Sequence, residues 1–185
     1  ALTQIDDRGL KTPIDLLDDE KIRFGTGNDL EIYFNGTNSH IQGKAGDTCL
    51  RGDSLKLLNS GASHNYLTAT NGGAVNLHYN NIKTFQTEPN GITLLGDEGG
   101  DCVLKLSADE GDDAADLFRF VASASGGLYM QNYTSGAWET DMYVAGNAQV
   151  QLHHNNLKKF ETTSTGCTVT GTCTATAFSG AGILP

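Results

Sequence analysis

The sequence repeats itself. Val75–Gly96 reads VNLHYNNIKTFQTEPNGITLLG and Val150–Gly171 reads VQLHHNNLKKFETTSTGCTVTG, an offset of 75 residues with 11 identities in 22 positions. A shorter third copy, LEIYFNG, lies at Leu30–Gly36, 45 residues before the first. Self-similarity of this kind marks one supersecondary unit used several times. Each copy has an alternating segment, then Asn-Gly or Asn-Asn, then a second extended segment. That is hairpin grammar. A type I′ turn needs positive φ at both central residues, and Asn and Gly tolerate it best. Asn35-Gly36, Asn80-Asn81 and Asn155-Asn156 are therefore the predicted hairpin tips.

The arms alternate with period 2. Val75, Leu77 and Tyr79 interleave with Asn76 and His78, and Val150 and Leu152 with Gln151 and His153. One set should face a core and the other solvent. A further hairpin is predicted for Leu128–Tyr133 and Trp138–Val144 around Thr134-Ser135-Gly136. One short helix is predicted, Pro13–Glu20, with Thr12 as cap and Pro13 at its first position. Turn signals every 8–12 residues elsewhere point to an all-β chain.

Cys167–Phe178, CTVTGTCTATAF, places Thr at every second position from Thr168 to Thr176. The alternates Cys167, Val169, Gly171, Cys173, Ala175 and Ala177 form an apolar but small face. A densely packed sheet core would use larger residues there. Small ones suit an axis where identical strands from three chains converge. The alternative is an edge strand covered by the rest of its own chain. The expected architecture is all-β: short repeated hairpins and strands in an elongated, intertwined homotrimeric, fibre-like assembly. Its expected parts are an N-terminal strand-rich unit at 1–70, a middle repeat at 71–145 and a C-terminal repeat with the axis strand at 146–185.

Composition narrows the function. The 185 residues carry a formal net charge of −10, which repels phosphate and disfavours nucleic acid and anionic membrane. Charged residues are 18% and hydrophobic ones 38%, the latter spread thinly, so one chain has little material for a deep core of its own. No apolar run reaches membrane-spanning length. Ala1–Arg8 has neither a basic nor an apolar signal region, and the start at Ala reads as a trimmed Met or an excised fragment. Cys49, Cys102, Cys167 and Cys173 include no C-x-x-C pair, and in an extended strand Cys167 and Cys173 lie beyond disulfide reach. They read as small buried apolar residues of a protein made in a reducing cytoplasm.

Several stretches resemble known proteins: DRGLKTPIDLLDDEKIRFGTGNDLEIYFNGTNSHI, LSADEGDDAADLFRF, LYMQNYTSGAWET and KKFETTSTGCTVTGTCTATAFSGAG. They are similar to repeats in tail-fibre and other virion appendage proteins of marine bacteriophages, cyanophages in particular. The similarity runs from about Asp7 to Gly182 and is most specific at Gly27–Gly36 and Lys158–Gly180. It implies a β-rich, homotrimeric, virion-attached structural protein that acts in host attachment by multivalent binding. A head-attached fibre or decoration protein without a receptor role is the alternative, and a polysaccharide-degrading spike a more distant one. The implied partners are the chain itself, other virion proteins and a host surface glycan or protein. In such proteins ATAFSGAG leads into a further domain, whereas here Ile183-Leu184-Pro185 follows, so the chain reads as a distal end or as lacking a tip.

No catalytic residue, metal ligand or cofactor is expected, and no binding residue is assigned. His78 and His153 are equivalent in the repeat, and adjacent His153 and His154 face opposite ways on a strand, so they read as surface histidines. The run Ser107–Asp116, SADEGDDAAD, breaks the calcium-loop spacing at Gly111 and reads as a solvated acidic connection. Asp112/Asp116 and Asp97/Asp101 read as loop carboxylates rather than a glycosidase pair. Arg51-Gly52-Asp53 is a chance tripeptide, and Asn35-Gly36-Thr37 and Asn132-Tyr133-Thr134 are turn chemistry rather than glycan sites. Tyr129, Tyr133, Trp138 and Tyr143 cluster in one hairpin, where they either fill a core or form a sugar-contact patch; the core reading is preferred.

Overall fold

The structure is a computed structural model that describes residues 15–177. It is all-β: fifteen strands in three antiparallel sheets. The first sheet holds β1 (Lys21–Phe24), β2 (Leu30–Phe34) and β3 (Ser39–Gly43). The second holds β4 (Ser54–Leu58), β5 (Asn65–Thr70), β6 (Val75–Tyr79), β7 (Ile82–Glu88) and β8 (Gly91–Leu94). The third holds β9 (Cys102–Ser107), β10 (Leu117–Ser123), β11 (Gly127–Asn132), β12 (Glu139–Ala145), β13 (Val150–His154), β14 (Leu157–Thr163) and β15 (Gly166–Val169). Within each sheet sequence neighbours are spatial neighbours, a meander. Two single 3₁₀ turns, Asp109–Gly111 and Ala114–Asp116, lie between β9 and β10.

The Asn-Asn tips form as predicted. Asn80 and Asn81 have φ of 49° and 65°, and Asn155 and Asn156 have 49° and 58°. Tyr79 pairs with Ile82 and His154 with Leu157, so each loop has two residues. Asn35-Gly36 differs. Phe34 pairs with Ser39, which makes a four-residue loop. There the Asn35 carboxamide oxygen accepts from the backbone N–H of Thr37 (3.0 Å) and Asn38 (2.7 Å), so its side chain supplies the turn. The hairpin of β11 and β12 is present around Thr134-Ser135-Gly136.

Three expectations need correction. Of the predicted helix Pro13–Glu20, the described part is not helical: Asp18 and Asp19 form a turn with Asp19 at φ 65°, while Pro13 and Ile14 lie outside the described residues. The predicted strand Cys167–Phe178 ends at Val169, and 170–177 is exposed and outside any sheet; Phe178 lies outside the described residues. The Thr ladder has strand propensity, but a strand also needs a ladder partner, and among the described residues this segment has none beyond Thr170. The cysteines are free but not buried: Cys49, Cys167 and Cys173 are exposed and Cys102 is half-buried.

The chain divides into Ala1–Gly52 and Asp53–Pro185. β5 pairs with β6 across position 70, and β12 with β13 across position 145.

The 75-residue repeat is structural, and longer than its sequence signature. β6, β7 and β8 match β13, β14 and β15 residue for residue, and β5 matches β12. Bulges recur at the same offset. Registers skip Tyr66 in β5 and Asp141 in β12, then Thr84 in β7 and Lys159 in β14. So do hydrogen bonds. Val75 N–H donates to Thr87 Oγ1 and Val150 N–H to Thr162 Oγ1, both at 2.9 Å. Asn65 N–H donates to Asn81 Oδ1 at 2.9 Å and Thr140 N–H to Asn156 Oδ1 at 3.0 Å.

Candidate functional site

Cross-strand register sorts every sheet into an apolar and a polar face, because directly opposed residues share a face. In the first sheet Ile22, Ile32 and Ile41 align. In the second, Leu57, Leu67, Leu77, Phe85 and Leu94 form one row. In the third, a row crosses all seven strands: Leu104, Phe120, Met130, Met142, Leu152, Phe160 and Val169. A second row beside it runs Cys102, Ala122, Leu128, Val144 and Val150.

These rows have the composition of a core and the exposure of a surface. Leu152 is 47% exposed, Leu104 44% and Ile41 63%. Among the described residues only Val121 and Glu31 are buried. Along β6 the alternation is present, with Val75, Leu77 and Tyr79 exposed and Asn76 and His78 half-buried. Large apolar side chains exposed in contiguous rows mark an interaction site.

The polar faces, by contrast, carry the ion pairs and aromatic pairs of the chain, although His40 Nε2, Asn76 Oδ1, His78 Nδ1 and His153 Nδ1 are buried there without a hydrogen-bond partner. In the first sheet Glu31 is 1% exposed and pairs with Lys21 (2.8 Å), Arg23 (3.1 Å) and Lys44 (2.7 Å). Hydrogen bonds from Lys21 and then Lys44 hold its carboxyl down to about 2, against burial, which acts the other way. Tyr33 stacks on His40 at 4.6 Å, and the Lys21 ammonium sits 4.2 Å from the Tyr33 ring centre. The third sheet repeats the device. Tyr129 and Tyr143 pair at 4.6 Å, Tyr133 and Trp138 at 5.0 Å, and the Arg119 guanidinium lies 4.1 Å from the Trp138 ring. Burial, with Tyr143 and Asp101 adding, raises the Tyr129 hydroxyl above its ordinary range. All four aromatics are half-buried. They neither fill a core nor stand free as a sugar platform. They pack on one another and on Arg119.

The remaining candidates are placed as follows. His78 and His153 lie on the polar faces of different sheets, each with an Nδ1 that has no hydrogen-bond partner; His153 Nε2 is 3.2 Å from Gln151 Oε1. His154 is exposed on the opposite face from His153. Asp112, Asp113 and Asp116 bring carboxylate oxygens within 4.8 Å of one another, the one such grouping of potential metal ligands among the described residues. Asp116 is already engaged: its carboxylate accepts from the Asp113 N–H at 3.3 Å, capping the 3₁₀ turn. Asp101 accepts from the Ala124 N–H at 2.9 Å and so ties a loop to β9. Asn132 accepts from Thr134 N–H (3.1 Å) and donates to Asp141 (2.8 Å), which is turn and bulge chemistry.

An open groove of about 680 Å³ is lined by Phe118, Asn132, Ser135, Glu139, Asp141 and His154 among others. The bulge at Asp141 turns this carboxylate toward Asn132, on the face of Phe118. Sequence reasoning missed the bulges and the Glu31 cluster. A signal for the longer repeat was present: Ser60-Gly61-Ala62 recurs as Ser135-Gly136-Ala137, also 75 residues apart. Comparison with protein-family models, curated proteins and solved structures finds no match to this chain.

Proposed function

We propose that the chain is a structural part of a bacteriophage virion, a tail-fibre segment that works in host attachment as an elongated, intertwined homotrimer. Its action is binding rather than turnover. A trimer presents each loop three times, so weak contacts with a host surface glycan or protein add through effective concentration. The observation that supports this reading is the set of apolar sheet faces left exposed among the described residues. A subunit of an obligate assembly has such faces, because its interface resembles a domain core cut in half. The sequence resemblance at Gly27–Gly36 and Lys158–Gly180 supplies the virion context.

Sedimentation analysis tests the assembly, and the expected mass is roughly three times that of one chain. Antibody labelling of virions tests the location. Label on tail fibres supports the reading, label on the head transfers the chain to a head-attached fibre, and unlabelled virions overturn the assignment. Release of reducing sugar from host polysaccharide would overturn the binding-only role.

A further inference from the structure

We propose that copies of this chain close on one another through the apolar face of the seven-stranded sheet, with the row from Leu104 to Val169 at the interface and the charged face turned to solvent. The inference rests on the self-association proposed above and adds which surface performs it.

A chain of net charge −10 meets its copy most readily through uncharged surface. The row contains no charged side chain, nor does the row from Cys102 to Val150 beside it. Acidic groups enter this face near the β11–β12 turn, with Glu139 and the bulged Asp141. The opposite face is already occupied, by the Tyr129–Tyr143 and Arg119–Trp138 pairs.

Met142, Leu152, Phe160 and Val169 stand 75 residues after Leu67, Leu77, Phe85 and Leu94, which form the equivalent row of the five-stranded sheet. A partner that fits both rows must itself carry apolar positions at this period, and a second copy of the chain does. Seven strands at about 4.8 Å spacing make a row about 29 Å long. Along it Leu104, Phe120, Met130, Leu152 and Val169 are each between 38% and 47% exposed, so the row is apolar and open over its whole length.

The chain holds two methionines, Met130 and Met142, and they are cross-strand partners in the middle of this row. They report on the face without any mutation. The intact wild-type protein is treated with dilute hydrogen peroxide, and sulfoxide at each methionine is followed by mass spectrometry against a urea-unfolded control. Oxidation slowed at least about tenfold at both positions is the expected result. Rates within about twofold of the unfolded control mean that the face is open and overturn the inference. Leu152→Asp, paired with Gln151→Asp on the opposite face, gives a second reading by sedimentation. The Leu152 variant is expected to fall to single-chain mass, and the Gln151 variant to keep the wild-type mass. A Leu152→Asp protein that keeps the wild-type mass overturns the choice of face while self-association stands. A wild-type protein of single-chain mass removes self-association itself. Should Leu152→Asp fail to fold, the methionine rates decide.

Discussion

Glu31 shows how a single residue is fixed by its surroundings. A carboxylate this deeply buried is costly unless paired, and here three cations converge on it. Its ionisation is coupled to folding. The ordinary value near 4.5 falls to about 2 in the folded chain, so the ionised form favours the fold. That contribution is complete above about 4.5 and is lost as pH drops from there toward 2. Acid titration of the wild type, followed by circular dichroism, is expected to show stability falling through this window. In Glu31→Gln the stability should be lower at neutral pH and flatter across the same range. An identical acid profile in both proteins would remove Glu31 as the titrating group. The tips obey a different constraint. Asn155 and Asn156 both have positive φ, and Asn156 also accepts from Thr140 N–H. Replacing both by Val is expected to cost about 1–3 kcal/mol in chemical denaturation, through backbone strain and the lost acceptor.

At the scale of elements, the duplicated hydrogen bonds make an internal control. Thr87 and Thr162 accept from the first N–H of β6 and β13 with the same geometry. Each Thr→Val change keeps the side-chain shape and leaves a donor without its partner, so each is expected to lower stability by about 1 kcal/mol. The threonines lie in different sheets, and the double variant is expected to add within about 0.5 kcal/mol. Unequal costs in denaturant titrations would mean that the two copies share a backbone but not an energetic role. Much of this level was legible in the sequence. The I′ tips follow from Asn-Asn, since few residue pairs tolerate two positive φ values, and strand faces follow from period-2 alternation. The bulges were not legible, because a bulge changes register without changing composition. Tyr66, Thr84, Asp141 and Lys159 share no residue type. The Thr ladder misled for a related reason: alternation states what a strand would present, not whether a neighbouring strand exists to pair with it. The Glu31 cluster was hidden because its four members come from three separate segments, which only the pairing of β1 with β2 and the return of the chain at Lys44 bring together.

For the whole molecule, the central fact is that large apolar residues sit in ordered rows and remain exposed. The composition pointed this way, since thinly spread hydrophobic residues cannot supply a deep core, but the sorting into one open apolar face per sheet needed the registers. In the proposed assembly each chain would draw stability from its partners, and mass action would then make stability depend on concentration. A hundredfold rise in protein concentration is expected to stabilise each chain by roughly 2 kcal/mol, which raises the melting temperature by about 4–8 °C for a chain of this length. Charge sets the direction of a second dependence. Copies of net charge −10 repel at long range, so added salt should raise the midpoint further by screening, whereas it should weaken an assembly held by ion pairs. Scanning calorimetry at several concentrations and salt levels measures both. A reversible midpoint that stays constant over the hundredfold range would mean that these open sheets are stable alone, and that their apolar faces serve a purpose other than holding the molecule together.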